Sequence, residues 1–308
     1  MTNRSFAKAA PAATVLLLAL APSASFACAC GCGVFDVGSL ALISDMQQPS
    51  AFVEYNFMDQ NRNWSGTGRA PASDNEDVEI RSHFVTLGAH TTIADGWSVM
   101  AELPVVDRVF KTDDGAGVET FEHTSLGDMR LMGAYSGFFD GMATSAIFGV
   151  KLPTGDFNIA GFDRDTAIGG GSTDLLLGLS HTGLLSDDFG WYGQIMWDKP
   201  LLTQGSYTPG TELNGAVGIY YDGLSLGGVK IVPMLQAIAS NRTRDGGANA
   251  TPDDTGYNRI LLSPGIEVDF RNWRLSGDIE FPVYQDVNGN QLAADRLFKF
   301  IASYRFGA

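Results

Sequence analysis

Phe298-Lys299-Phe300-Ile301-Ala302-Ser303-Tyr304-Arg305-Phe306 is the stretch that decides the fold. Successive side chains of an extended chain point to opposite faces. Phe298, Phe300, Ala302, Tyr304 and Phe306 therefore fall on one face, and Lys299, Ser303 and Arg305 on the other. A long aromatic face of this kind is a liability on a water-soluble sheet. It is the ordinary outer face of a strand that crosses a bilayer within a closed barrel.

Working back from this segment, period-two alternation recurs as far as residue 51, and the connections alternate between long and short. Strands are expected at 51–58, 78–93, 97–109, 125–137, a segment ending near 152, 173–184, 191–200, 212–221, 228–241, 256–270, 273–285 and 296–306. Long loops follow the odd strands (59–77, 110–123, 153–171). Short turns follow the even ones, at Ala94-Asp95-Gly96, Phe139-Asp140-Gly141 and Ser186-Asp187-Asp188. Outer-membrane barrels show this asymmetry of long outer loops and short periplasmic turns. Trp97, Trp191 and Trp273 each come one to three residues after a short turn, where amphipathic rings favour the membrane interface. The expected fold class is thus all-β: a transmembrane, antiparallel, up-and-down β-barrel of about twelve strands.

Parity sorts the two faces. Met129, Leu131, Tyr135, Phe148, Val150, Leu152, Trp273, Leu275, Ile279 and Phe281 are expected to face lipid, and Asp128, Arg130, Ser145, Lys151, Arg274, Ser276, Asp278 and Glu280 the lumen. Glu54, Asn56, Glu102, Glu212, Asn214, Lys230, Gln236, Arg259 and Glu267 join the inward set. A charge facing the bilayer midplane costs roughly 2–4 kcal/mol, so this many charges on one parity imply a polar interior. Two readings of that interior stand: ion pairs that fill a closed lumen, or the lining of a conduction path. For the second, Glu54, Glu102, Asp128, Arg130, Lys151, Arg259 and Glu280 are the lining candidates.

The N-terminus reads as an export signal. Arg4 and Lys8 precede an apolar run, 14–21, that leads through Pro22 to Ser25-Phe26-Ala27, the charged, apolar and cleavage regions of a secretory signal peptide. The run falls far short of the roughly twenty residues that span a bilayer as a helix. Residues 1–27 are expected to be removed, 28–50 to form a short periplasmic or plug segment, and 51–308 to form the barrel in the outer membrane. Phe35, Leu40, Leu42, Ile43 and Met46 would allow a short helix in the middle segment, which hangs in the periplasm, within reach of a periplasmic partner, or folds into the lumen.

All three cysteines of the chain stand in that segment, as Cys28-Ala29-Cys30-Gly31-Cys32. Neighbours two apart are badly placed to bridge one another, whereas thiolates suit soft metals such as Cu(I), Zn or iron–sulfur clusters. Cys28, Cys30 and Cys32 are therefore candidate ligands for a soft metal ion such as copper. An intermolecular disulfide and lipid attachment at Cys28 are the competing readings, although Ser25 and Phe26 match a lipidation signal poorly.

The formal charge of −15 argues against nucleic-acid binding, which needs clustered Lys and Arg to neutralise phosphates. Acidic loops such as Asp74, Glu76 and Asp77, or Asp113 and Asp114, suit exposed loops, or cation bridging to lipopolysaccharide. Catalysis finds little support: Ser180 and His181 point to opposite faces of one strand, and His83, His90 and His123 are scattered. Gln285-Asp286-Val287-Asn288-Gly289-Asn290 has its glycine two places too early for a calcium loop and reads as a tight outer turn.

Gly149-Val150-Lys151-Leu152-Pro153-Thr154-Gly155-Asp156, followed by Gly169-Gly170-Gly171-Ser172-Thr173-Asp174, resembles a pattern of the outer-membrane proteins grouped as the MetA-pathway phenol-degradation family. Residues 282–292 and Ala302-Ser303-Tyr304-Arg305-Phe306 are similar to that family's C-terminal end. The resemblance spans roughly 125–306 and implies a barrel channel or transporter; the cysteine-rich start departs from the pattern. The function expected is passage of small solutes across the outer membrane, in contact with outer-membrane lipid and lipopolysaccharide. The alternative is a metal-binding or redox component anchored by the barrel.

Overall fold

The computed structural model describes Phe35, Val37 and residues 48–138 and 143–307. Cys28, Cys30 and Cys32, the signal segment and the turn expected at Phe139-Asp140-Gly141 lie outside the described residues. Alternation is converted into fourteen strands: β1 (Ser50–Gly66), β2 (Gly68–Arg69), β3 (Asp77–Ala94), β4 (Trp97–Asp113), β5 (Val118–Leu126), β6 (Met129–Tyr135), β7 (Thr144–Leu152), β8 (Ser172–Leu184), β9 (Phe189–Thr203), β10 (Glu212–Tyr221), β11 (Leu224–Leu226), β12 (Val229–Arg242), β13 (Tyr257–Phe270) and β14 (Trp273–Arg305). Eleven of them form a closed antiparallel wall in the order β10-β9-β8-β7-β6-β4-β3-β1-β14-β13-β12, with β12 returning to β10. The short strands β2, β5 and β11 attach to β1, β4 and β12.

Two departures from the expected strands have a physical origin. β1 continues to Gly66 instead of ending at residue 58: Gln60 keeps the inward parity and is buried, and beyond a register shift between Gln60 and Arg62 Asn63 is the buried residue. Its last turns are polar on both faces, which hides a strand that has risen above the apolar band. The wall also counts eleven strands rather than about twelve, because the last two expected strands are joined without a break in β14. The first half of β14 pairs with β13 from Trp273 to Val287, and the second pairs with β1 from Val287 to Arg305. Thirty-three residues in line would reach about 110 Å. Instead the ends of β14 meet: the Arg305 amide donates to the Asn272 carbonyl at 2.8 Å, and the Trp273 and Tyr304 rings lie 5.0 Å apart. The chain reverses at Gly289, whose φ of +59° suits a residue without Cβ.

Parity is realised as expected. Leu131, Phe148, Val150, Trp273, Leu275, Ile279 and Phe281 are exposed on the outside, whereas Ser145, Glu280, Lys299 and Ser303 are buried within. Aromatic pairs ring the short-turn end: Trp97 with Tyr135 at 4.7 Å, Trp191 with His181 at 5.1 Å and Phe189 with Tyr221 at 4.8 Å. The interior holds an apolar layer at mid-height, in which Phe35 and Val37 pack with Met58, Phe84, Val106, Ile238, Leu261 and Leu297. The barrel therefore encloses residues from ahead of its own first strand.

Candidate functional site: a divided lumen

Phe35 and Val37 separate two cavities. The cavity at the long-loop end has a volume of about 180 Å³ and is lined by Phe35, five carboxylates (Glu54, Glu102, Asp128, Asp165, Glu212) and five cations (Arg108, Arg130, Lys151, Arg164, Arg242). The cavity at the short-turn end, about 340 Å³, is lined by Val37, Tyr192, Gln236, Lys230, Glu267, Asp269, Arg274 and Asp278, among others. Lys299 spans the division: its Nζ donates to the Phe35 carbonyl at 2.7 Å and lies 5.8 Å from the centre of the Phe35 ring. On its other side, Phe35 tilts against Phe84 with ring centres 5.8 Å apart. Phe35 and Val37, the two residues described between 28 and 47, thus lie inside the wall.

The first cavity gathers most of the lining candidates. Glu102 and Arg130 face each other across β4 and β6 at 3.9 Å. Lys151 on β7 lies 2.6 Å from Asp174 on β8 and 2.7 Å from Asp198 on β9. Glu54 lines the cavity from β1. Arg259 and Glu280 do not join them: both point inward, as parity requires, but they are packed into the barrel away from either cavity. Parity reports which face a side chain takes and not how deeply neighbours cover it.

Asp128 has a more specific task. It interrupts the line from β5 to β6 and accepts hydrogen bonds from the amides of Gly155 at 3.1 Å and Gly170 at 2.7 Å. It thereby ties both ends of the 153–171 loop to the wall. The two ends are packed so closely that a Cβ on Gly169 would stand 2.4 Å from the Gly155 carbonyl oxygen. Gly149, Gly155 and Gly169 of the two motifs are thus required by close contact with neighbouring backbone.

This loop roofs the cavity through residues that sequence reading did not single out. Arg108, 1% exposed, donates to Ser82 Oγ at 2.8 Å and to the carbonyls of Thr166 and Ala167 at 2.8 and 3.0 Å. Arg164 donates to the Gly170 carbonyl at 2.8 Å, with its guanidinium 4.3 Å from the Tyr207 ring centre and 5.1 Å from that of Phe157. Tyr207 donates to Asp245, which also receives the Gly210 amide at 2.7 Å and pairs with Arg242 at 2.8 Å. Burial, reinforced by neighbouring carboxylates, raises the Asp165 carboxyl to about 8, and burial together with Glu76 raises that of Asp163 to about 6. The only signal in the sequence was the density of charge inside a loop rich in glycine.

Ser180 is buried on the inner face, while His181 meets Thr144 Oγ1 at 2.7 Å and the Trp191 ring, so the two do not form a pair. Among the described residues no group of three or more His, Cys, Asp or Glu is placed to hold a metal ion.

The same wall is found in solved structures. The COG4313 outer membrane channel from Pseudomonas putida F1 superposes with a TM-score of 0.60 at 11% identity, over 85% of this chain and 96% of its own. The beta domain of the Bordetella autotransporter BrkA superposes at 0.51 with 14% identity, over 84% and 100%. No family model and no curated protein sequence matches the chain, so the resemblance to the MetA-pathway family gains no matching family model. The similarity to these two structures shows a fold: this chain is built as an outer-membrane β-barrel.

Proposed function

We propose that the chain is an outer-membrane channel for small solutes whose lumen is closed at mid-height by its own N-terminal segment. The reversal of β14 lets that strand cross the membrane twice, giving twelve crossings, an even number as in bacterial barrels. The long-loop end then faces outward and the short-turn end the periplasm. The observation that carries the reading is the presence of two charge-lined cavities in one lumen, with Phe35 and Val37 packed between them. Glu54, Glu102, Asp128, Arg130 and Lys151 form the outer vestibule that a solute meets first, while Arg259 and Glu280 brace the wall. The test is conductance of the purified protein in planar bilayers, for the mature chain and for a chain lacking residues 28–48. A small conductance that grows on truncation is expected. A barrel that neither conducts nor exchanges solute, even when truncated, overturns the reading.

A second reading keeps Cys28, Cys30 and Cys32 as ligands for a soft metal such as copper. The anchorage of Phe35 by Lys299 favours it, because Cys32, three residues away, cannot be more than about 11 Å from Phe35 along the chain. Metal content of the mature protein, before and after replacing all three by Ser, tests this: equal content rejects the site.

A further inference from the structure

Charge is unevenly spread over the outside of the wall. On β7 to β13 the outward face presents one cation, Lys199. By contrast Arg62, Arg69, Arg81, Lys111 and Arg296 are brought together on the adjoining strands β14, β1, β2, β3 and β4, above the apolar band. Arg62 and Arg69 share one carboxylate, Asp295, at 3.2 and 2.8 Å. Arg81 and Lys111 share Glu79 at 3.1 and 2.5 Å. Each of these carboxylates is divided between two cations. At the β14–β1 corner three arginines gather about a single paired carboxylate: Arg62 and Arg69 hold Asp295, and Arg296 follows it directly in β14.

Below that corner lies an apolar groove of about 450 Å³ on the outside of the barrel, lined by Tyr55, Phe57, Ile279, Phe298 and Phe300 and crossed at Gly277. Register explains it: Phe57 lies opposite Phe298, and Tyr55 opposite Phe300, across β1 and β14. A Cβ at Gly277 would touch the Phe300 ring at an ordinary contact distance of 3.5 Å, so the glycine forms the floor of the groove beside that ring. Arg296 joins the two features, since its guanidinium stands 5.8 Å from the centre of the Phe298 ring at the top of the groove. A cationic shelf over an aromatic groove, on a surface that faces lipid, is complementary to an amphiphile with a phosphorylated headgroup. Guanidinium forks suit phosphate oxygens, and the groove is shaped for a single chain of methylenes rather than for a protein partner.

We propose that the β14–β1 corner of the outer wall docks one phosphorylated outer-leaflet lipid of the lipid A class, with its phosphate on Arg62, Arg69 and Arg296 and an acyl chain in the groove beneath. The site rests on the membrane reading given above. Its test separates the two: insertion into phosphatidylcholine bilayers reports on the membrane reading alone, and selectivity among added lipids reports on the site. The full mature protein is placed in phosphatidylcholine nanodiscs doped with lipid A, with lipid A stripped of both phosphates, or with phosphatidylglycerol, and retained lipid is measured by native mass spectrometry. Retention of intact lipid A is expected to exceed that of either other lipid by about tenfold, the factor that 1.4 kcal/mol represents. The triple variant Arg62→Ala, Arg69→Ala, Arg296→Ala should lose this preference, and the triple Arg→Lys variant should recover part of it. Lys199→Ala, on the other side of the barrel, should leave it intact. Equal retention of intact and dephosphorylated lipid A by the unaltered protein, which needs no variant to fold, overturns the proposal. So does equal retention of phosphatidylglycerol, which would reduce the shelf to diffuse charge.

Discussion

The ammonium group of Lys299 and the carbonyl of Phe35, 264 residues apart in the chain, meet at 2.7 Å inside the barrel. A hydrogen bond to a charged group contributes about 1.5–3 kcal/mol, enough to hold a short apolar segment across a lumen.

Lys299→Met should therefore raise the open fraction of the channel roughly tenfold or more, the factor that such an energy represents. Single-channel recording at fixed voltage measures it. An open fraction equal to that of the unaltered protein would remove Lys299 as the latch.

Lys151 lies between two carboxylates that are almost fully covered, with side-chain exposures of 1% for Asp174 and 4% for Asp198. Lys151→Met strands both, and breaking a buried pair in this way costs about 3–5 kcal/mol. The expected result is a marked fall in the temperature at which the barrel unfolds, followed by heat-modified migration on gels. Combining Lys151→Met with Asp174→Asn and Asp198→Asn should recover most of the loss. A triple variant as unstable as the single one would refute the role assigned to the pair.

Asp163 and Asp165 give the roof a dependence on pH. Their carboxyls are held up to about 6 and about 8, against an ordinary value of 3.8. A raised carboxyl means that the docked loop binds more protons than the released one, so docking weakens as pH rises. The loss begins near the ordinary carboxylate range, is complete for Asp163 near pH 6 and for Asp165 near pH 8, and levels off above. Conductance should climb across that window, and Asp165→Asn should abolish its upper half. A profile of Asp165→Asn identical to that of the unaltered protein would contradict this.

Gly169→Ala should displace the same loop by another route, since the added carbon meets the Gly155 carbonyl oxygen at 2.4 Å. Overpacking of this kind costs about 1–3 kcal/mol. Limited proteolysis should cut within 153–171 faster while the barrel itself stays resistant. Unchanged cleavage would show that the two loop ends have room to spare.

The strand at 212–221 is legible to the residue, because Glu212, Asn214 and the small or apolar residues after them alternate cleanly between a wet and an oily surface. The later part of β1 is not, since above the bilayer both of its faces meet polar surroundings and alternation no longer reports burial. The middle of β14 is hidden for the opposite reason: Asp286 and Asn290 have the composition of a loop but pair as strand on either side of the reversal. Glu54, Glu102, Arg130 and Lys151 are found from parity, because charge on the inner face is what lipid on the outer face selects. Arg108 escapes because it stands at the expected end of a strand, and nothing local foretells that a loop some sixty residues later will fold over it. Phe35 is legible as an apolar residue of a plug or periplasmic segment, but its position is not, because its partners are supplied by the rest of the chain.

β1 meets the far half of β14, and that half carries Lys299. The seam at which the cylinder joins is therefore made by the strand that also grips the inner segment. Without residues 287–305 the cylinder is incomplete and Phe35 has no ammonium to hold it. Closing the cylinder and holding the inner segment thus draw on one and the same stretch of chain, so that a fault in it would open the wall and release Phe35 together.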